Sequence, residues 1–198
     1  MKRVLFVTYD FPFPTNTGGK NRAYNMLKHS GQDIKKCLYS FVRDDAWRDS
    51  VVEMEKIGVE VVGTSFRRKT NDLRNFLGLF AGNSIFRTLY FSHSIATDLL
   101  RIIADKKIDI VLFESFYTAF YISDEIKKLQ AKQIFGTENI EYKVYGEFAK
   151  KANLFLKPLY EFQVDKIKNE EVDLFKKADL CIAVSDADSK EIKKYVDE

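Results

Sequence analysis

Apolar residues follow two alternating patterns along this chain. A short continuous apolar and β-branched run falls at residues 4–8, and further segments rich in such residues fall at 34–42, 59–62, 109–113, 133–136 and 180–184. Each has the length and character of a strand buried on both faces, as in a parallel sheet. Between these runs, apolar residues recur at helical spacing, which puts them on one face of a helix. Ala23, Met26 and Leu27 do so, as do Trp47, Val51 and Met54, and then Ile95, Leu99, Ile102 and Ile103. Strand and helix alternate, which predicts βαβ units. The expected fold class is α/β: a Rossmann-like parallel sheet of about six or seven strands flanked by helices.

The punctuation agrees with that alternation. Pro12 and Pro14 close the first strand, since proline neither donates to a ladder nor continues a helix. Small residues 15–19 make a turn, and a helix is predicted over 20–30 with Gly31 as its stop. Gly58 ends a helix over 43–57. Residues 116–129 read as one amphipathic helix, with Phe116/Phe120 and Tyr117/Tyr121 one turn apart. A helix runs through Tyr145 and Phe148. A longer one carries Leu156, Leu159, Tyr160, Ile167, Leu174, Phe175 and Ala178, with Pro158 in its first turn. Ser185 caps a last helix bearing Ile192, Tyr195 and Val196.

Residues 66–92 differ in character. Arg67, Arg68 and Lys69 open the segment. Leu73, Phe76, Leu77, Leu79, Phe80, Ile85, Phe86, Leu89, Tyr90 and Phe91 follow, with Arg74 and Arg87 between them. Basic residues beside aromatic ones suit contact with an anionic membrane surface. The alternative is a helical pair that packs on its own sheet.

Composition narrows the class. The chain has 198 residues, 45% hydrophobic and 31% charged, enough for one substantial core or two small ones. A net charge of +3 does not argue for nucleic acid. No apolar run approaches the ~20 residues of a membrane-spanning helix. No signal peptide is visible, so the expected location is cytoplasmic, with peripheral contact at the inner membrane face through 66–92. Cys37 and Cys181 sit in apolar runs and read as buried free thiols. Without a His/Cys cluster, no metal is expected.

Candidate chemistry gathers where strands end. Gly18 and Gly19 precede a helix, where backbone and first-turn N–H groups can approach an anion such as phosphate; Lys20 and Arg22 add charge. The same pair can simply make a turn. Neither G-x-G-x-x-G nor G-x-x-x-x-G-K-[ST] is present. In open α/β sheets ligands bind beyond the carboxyl ends of strands. Asp10 and the pair Glu114, Ser115 stand at two such ends, and Glu138 and Asn139 follow a third. Each acid can equally serve as a cap or a solvated loop residue.

Three stretches, in this order, resemble the amino-terminal domain of GT-B-fold, group-one (family four) retaining glycosyltransferases, and among these the exopolysaccharide-associated sugar transferases. They are Phe11, Pro12, Phe13, Pro14 with Gly18 to Arg22; Asp109, Ile110, Val111 with the strand end after them; and Thr137 to Tyr142 with Ala183 to Asp188. The resemblance implies one lobe of a GT-B fold, with residues 1–198 as the acceptor-side domain and a carboxy-terminal donor-binding domain absent. It implies a nucleotide-sugar as donor substrate, a sugar or lipid-linked acceptor, and no cofactor. Gly18 and Gly19 would lie near the donor diphosphate; Lys20, Arg22, Glu114, Ser115, Glu138 and Asn139 would line the acceptor side. The isolated domain would be inactive. Glu114 and Glu138 stand where many members carry histidine. The alternative is a non-catalytic sugar- or partner-binding α/β domain. A response-regulator-like or flavodoxin-like domain rests on Asp10 alone.

Overall fold

The computed structural model describes residues 1–31, 33–67 and 82–196. Six strands form one sheet: β1 (Lys2–Thr8), β2 (Ile34–Val42), β3 (Val59–Phe66), β4 (Ile110–Glu114), β5 (Lys132–Gly136) and β6 (Leu180–Ile182). Their order is β3-β2-β1-β4-β5-β6, and every pairing is parallel. The helices are α1 (Gly18–His29), α2 (Trp47–Lys56), α3 (Ile85–Tyr90), α4 (His93–Lys106), α5 (Phe116–Ala119), α6 (Asp124–Lys128), α7 (Glu141–Lys151), α8 (Lys157–Lys177) and α9 (Asp186–Ile192). The molecule is a Rossmann-like α/β fold.

The apolar character of the central strands on both faces is explained by two cores. Leu5, Val7, Val111 and Phe113 face one way and meet Leu99 and Ile103 of α4, Phe116 of α5, and Ile167 and Phe175 of α8. Val4, Phe6, Leu38 and Leu112 face the other way and meet Leu27 of α1 and Met54 of α2. Side chains alternate along a strand, so both parities must be apolar when both faces are covered. The chain builds outward from β1 to β3, returns, and builds outward again from β4 to β6. The reversal falls between β1 and β4, where this class of sheet opens a crevice at its carboxyl edge.

Several boundaries differ from the sequence reading. Helix α1 begins at Gly18, because Thr17 is its N-cap and its hydroxyl accepts the Lys20 N–H. Both glycines are therefore inside the first turn rather than ahead of it. Ser30, not Gly31, ends this helix: its N–H and hydroxyl both donate to the Met26 carbonyl. Gly58 stops α2 at φ +73°, as expected. Strand β3 continues through Gly63 to Phe66, with an irregular register opposite Leu38 and Tyr39. A Cβ at Gly63 would lie 2.7 Å from the Tyr39 ring, so the glycine makes room inside the strand. Residues 116–129 form two short helices rather than one. The buried Gln133 amide binds both the N–H and the carbonyl of Ser123, which pins the chain between them.

Cys37 is buried and Cys181 half-buried, and both are free thiols. In the 66–92 segment, residues 68–81 lie outside the described residues. Phe86, Tyr90 and Phe91 pack against Tyr145, Tyr117 and Tyr121. Among the described residues, no helix is long and apolar enough to cross a membrane.

Candidate functional site

The carboxyl ends of β1, β4 and β5 carry a network of charged and phenolic side chains. Glu114 closes β4 and is almost fully buried. Its Oε1 accepts a hydrogen bond and ion pair from Arg22 Nη1 of α1. Its Oε2 is buried without a hydrogen-bond partner and lies against Gly136 at the end of β5. A Cβ at Gly136 would stand 2.6 Å from that oxygen.

Ser115 follows directly, with φ 92° and ψ 158°. Only glycine adopts this region without cost, so the residue is held under strain of ~1–3 kcal/mol. The hold is visible. Its N–H donates to the Gly136 carbonyl at 2.8 Å, and its carbonyl accepts from Thr118 and Ala119. Its Oγ is buried and unpartnered.

Glu138 and Tyr9 meet over Gly19. A Cβ there would fall 2.7 Å from both Glu138 Oε1 and the Tyr9 hydroxyl. Arg67 lies over the other side of Tyr9, its Cζ 5.0 Å from the ring centroid and its Nε donating to the Tyr9 carbonyl. Asp10 ties this edge together. Its carboxylate pairs with Arg43 at 3.2 Å and Arg67 at 3.3 Å, and Lys20 stands 4.0 Å away.

Glu141 opens α7. Tyr117 donates to its Oε2 at 3.5 Å, and the Tyr117 and Tyr145 hydroxyls are 3.4 Å apart. The N–H groups of Glu141 and Tyr142 both donate to the Glu171 carboxylate of α8, at 2.9 and 3.0 Å. The anion site at this helix N-terminus is thus filled by the protein's own acid.

Burial sets the protonation of the cluster. It pushes the Glu114 carboxyl up to about 7, with Arg22 pulling down and Glu138 pushing further up. It likewise pushes Glu141 up to about 7, Glu138 adding to the rise. Glu138 is raised for the same reason, opposed by Arg22 and the Tyr9 hydroxyl. The Tyr9 phenol is pushed up to about 12, mainly by burial and then by Glu138. A carboxyl titrating near neutrality can donate or accept a hydrogen bond, and it can take up a proton from a bound hydroxyl. Among the described residues, no group of three or more His, Cys, Asp or Glu is placed to hold a metal ion.

All the residues singled out in the sequence lie at this edge, in unequal roles. Arg22, Glu114, Ser115 and Glu138 form the buried part. Lys20 serves Asp10, and Asn139 is exposed beside Glu141. Gly18 is exposed, with open space where a Cβ would stand, whereas the Gly19 face is filled by Tyr9 and Glu138. Tyr9, Tyr117, Glu141 and Glu171 carry no site signal in the sequence, and Arg67 stands there only among the basic residues that open the 66–92 segment. Tyr117 carried only a helical-core signal, and Arg67 reaches Tyr9 from 58 residues away. Glu141 stands three residues past Glu138 at the same strand end.

No protein-family model matches this chain, and no curated protein matches it. Among solved structures it is similar to a protein of unknown function from Vibrio parahaemolyticus RIMD 2210633. The identity is 11%, the TM-score 0.40, and the match covers 93% of this chain and 94% of that one.

Proposed function

We propose that the carboxyl edge of the sheet binds a hydroxyl-rich ligand, and that the chain is the acceptor-side lobe of a retaining glycosyltransferase. Such an enzyme would move a sugar from a nucleotide-sugar to an acceptor hydroxyl in polysaccharide or glycolipid synthesis. The observation that carries the reading is Glu114. A buried carboxyl with one oxygen held by Arg22 and the other unpartnered, beside the strained Ser115, marks this edge as unusual, and the half-buried Glu138 beside it is the acid nearer to solvent. It stands at the β1/β4 reversal, where α/β sheets take ligands. The three-part sequence resemblance supplies the ligand class. Gly18, exposed in the first turn of α1, is where a diphosphate would approach the backbone.

One observation favours the second reading, a binding domain without chemistry. Tyr9 and Glu138 fill the space against Gly19 that a diphosphate would otherwise use.

The test is a calorimetric titration of the native full-length protein with neutral oligosaccharides, nucleoside diphosphates and nucleotide-sugars, together with an assay for nucleoside diphosphate release. Oligosaccharide binding that falls at least about tenfold in Glu138→Ala is expected, the cost of losing a charged hydrogen-bond partner. Acceptor-dependent release identifies a transferase, and binding without release identifies the binding domain. Failure to bind any sugar or nucleotide overturns both.

A further inference from the structure

Residues 148–160 hold three lysines, Lys150, Lys151 and Lys157, and no acidic residue. They include the end of α7, the connection to α8 and the first turn of α8. Large apolar side chains stand in water here: Phe155 is 93% exposed, Leu154 83%, Phe148 59%, Leu156 45% and Tyr160 44%. Soluble surfaces rarely carry such a concentration without a use for it.

The fold lifts this tip away from the body. Glu171 accepts the first N–H groups of α7, so that point of α8 is level with the entrance to the crevice. Helix α8 leaves Lys177 for the start of β6 at the opposite edge of the sheet. Going back from Glu171, it stays packed as far as the buried Gln163, which accepts the Ile85 N–H, and only its first six residues, on the order of 9 Å at 1.5 Å per residue, go beyond that contact. In its first turns Pro158, Tyr160, Glu161 and Phe162 are all exposed, so it projects as a wedge and offers no single flat face.

We infer that this helical hairpin is a membrane-docking finger for an anionic lipid surface. Leu154, Phe155 and Leu156 enter the boundary between headgroups and acyl chains. Lys150, Lys151 and Lys157 lie behind them at the level of the phosphates, their stems on the apolar layer. Lys150 pairs with Glu147 at 2.7 Å and Lys157 with Glu161 at 3.8 Å, but both pairs are solvent-exposed and weak. A tip with Leu154, Phe155 and Leu156 exposed side by side and three lysines around them matches a deformable, negatively charged layer. In the 66–92 segment, the described aromatic residues Phe86, Tyr90 and Phe91 pack on Tyr145, Tyr117 and Tyr121. The docking does not depend on what the carboxyl edge of the sheet binds.

The experiment is co-sedimentation of the full chain with vesicles of phosphatidylcholine alone or mixed with phosphatidylglycerol, at low and high salt. The protein is expected to pellet with the anionic vesicles at low salt and to be released at high salt. Leu154→Ser with Phe155→Ser lowers partitioning at least about tenfold. Each of Lys150→Gln, Lys151→Gln and Lys157→Gln lowers it about fivefold. All these side chains are exposed, and unchanged thermal melting verifies the fold. No pelleting of the unaltered protein, or equal pelleting of the serine variant, overturns the inference. So does concentration-dependent self-association that the serine variant abolishes without any vesicle binding. No sugar is present, so a negative result leaves the crevice reading as it stands.

Discussion

Arg22 and Glu114, 92 residues apart in sequence, form an ion pair that bridges the first turns of α1 and the tip of β4. Glu114 is buried and Arg22 is 22% exposed. Removing the cation leaves a buried carboxylate alone, which the protein avoids by keeping the carboxyl protonated. Arg22→Met should therefore cost about 2–3 kcal/mol near pH 8.5 and under about 1 kcal/mol near pH 5. Urea unfolding at the two pH values measures both. Equal cost at both would show that Glu114 is not charged in the folded protein.

Stability should fall as pH rises through neutrality. Burial holds Glu114 and Glu141 at about 7. An unfolded glutamate titrates at about 4.3. Between these values the folded chain keeps protons that the unfolded chain has released, so stability is highest at the acid end and is lost toward pH 8. Glu191, drawn down to about 2 mainly by hydrogen bonds from Lys143 and Lys194, acts only in stronger acid. A loss on the order of 5 kcal/mol from about pH 5 to pH 8.5 is expected. Glu141→Gln should flatten part of it. Glu114 and Glu141 both feel Glu138, so their titrations are coupled and the slope will be broad. A flat or rising profile in urea unfolding would contradict the buried-acid account.

The two glycines should behave differently. Gly18→Ala meets open space and should leave stability within ~0.5 kcal/mol. Gly19→Ala pushes on the Tyr9 hydroxyl and Glu138 Oε1, both 2.7 Å from the new Cβ. Displacing them should cost about 1–2 kcal/mol. Thermal melts of the two variants side by side decide the matter, and equal tolerance would mean that Tyr9 and Glu138 move freely.

Ser115 gives a prediction of the opposite sign. Its φ of 92° and ψ of 158° suit glycine, and its hydroxyl has no partner to lose. Ser115→Gly should raise stability by about 1 kcal/mol, although a buried residue is being truncated. Ser115→Ala keeps the strain and should change little. Destabilisation by the glycine variant in denaturant titration would show that the side chain is held by contacts worth more than the strain.

Local chemistry carried much of this protein's description. The six apolar runs, the stop at Gly58, the Ser185 cap and Pro158 in the first turn of α8 all depend on neighbours a few residues away, and they were legible in order. The strand ends bearing Glu114 and Glu138 were legible for the same reason. Tertiary structure decided what those ends do. Arg22 meeting Glu114, Arg67 meeting Tyr9 and Glu171 capping α7 join residues dozens of positions apart, and no local spacing encodes them. The break between α5 and α6 followed from the buried Gln133 amide, which outbid a good helical pattern. The exposed Leu154 and Phe155 read as ordinary apolar residues in sequence. Only the length of α8 relative to the sheet put them in water, because a helix longer than the strands it covers must overhang them.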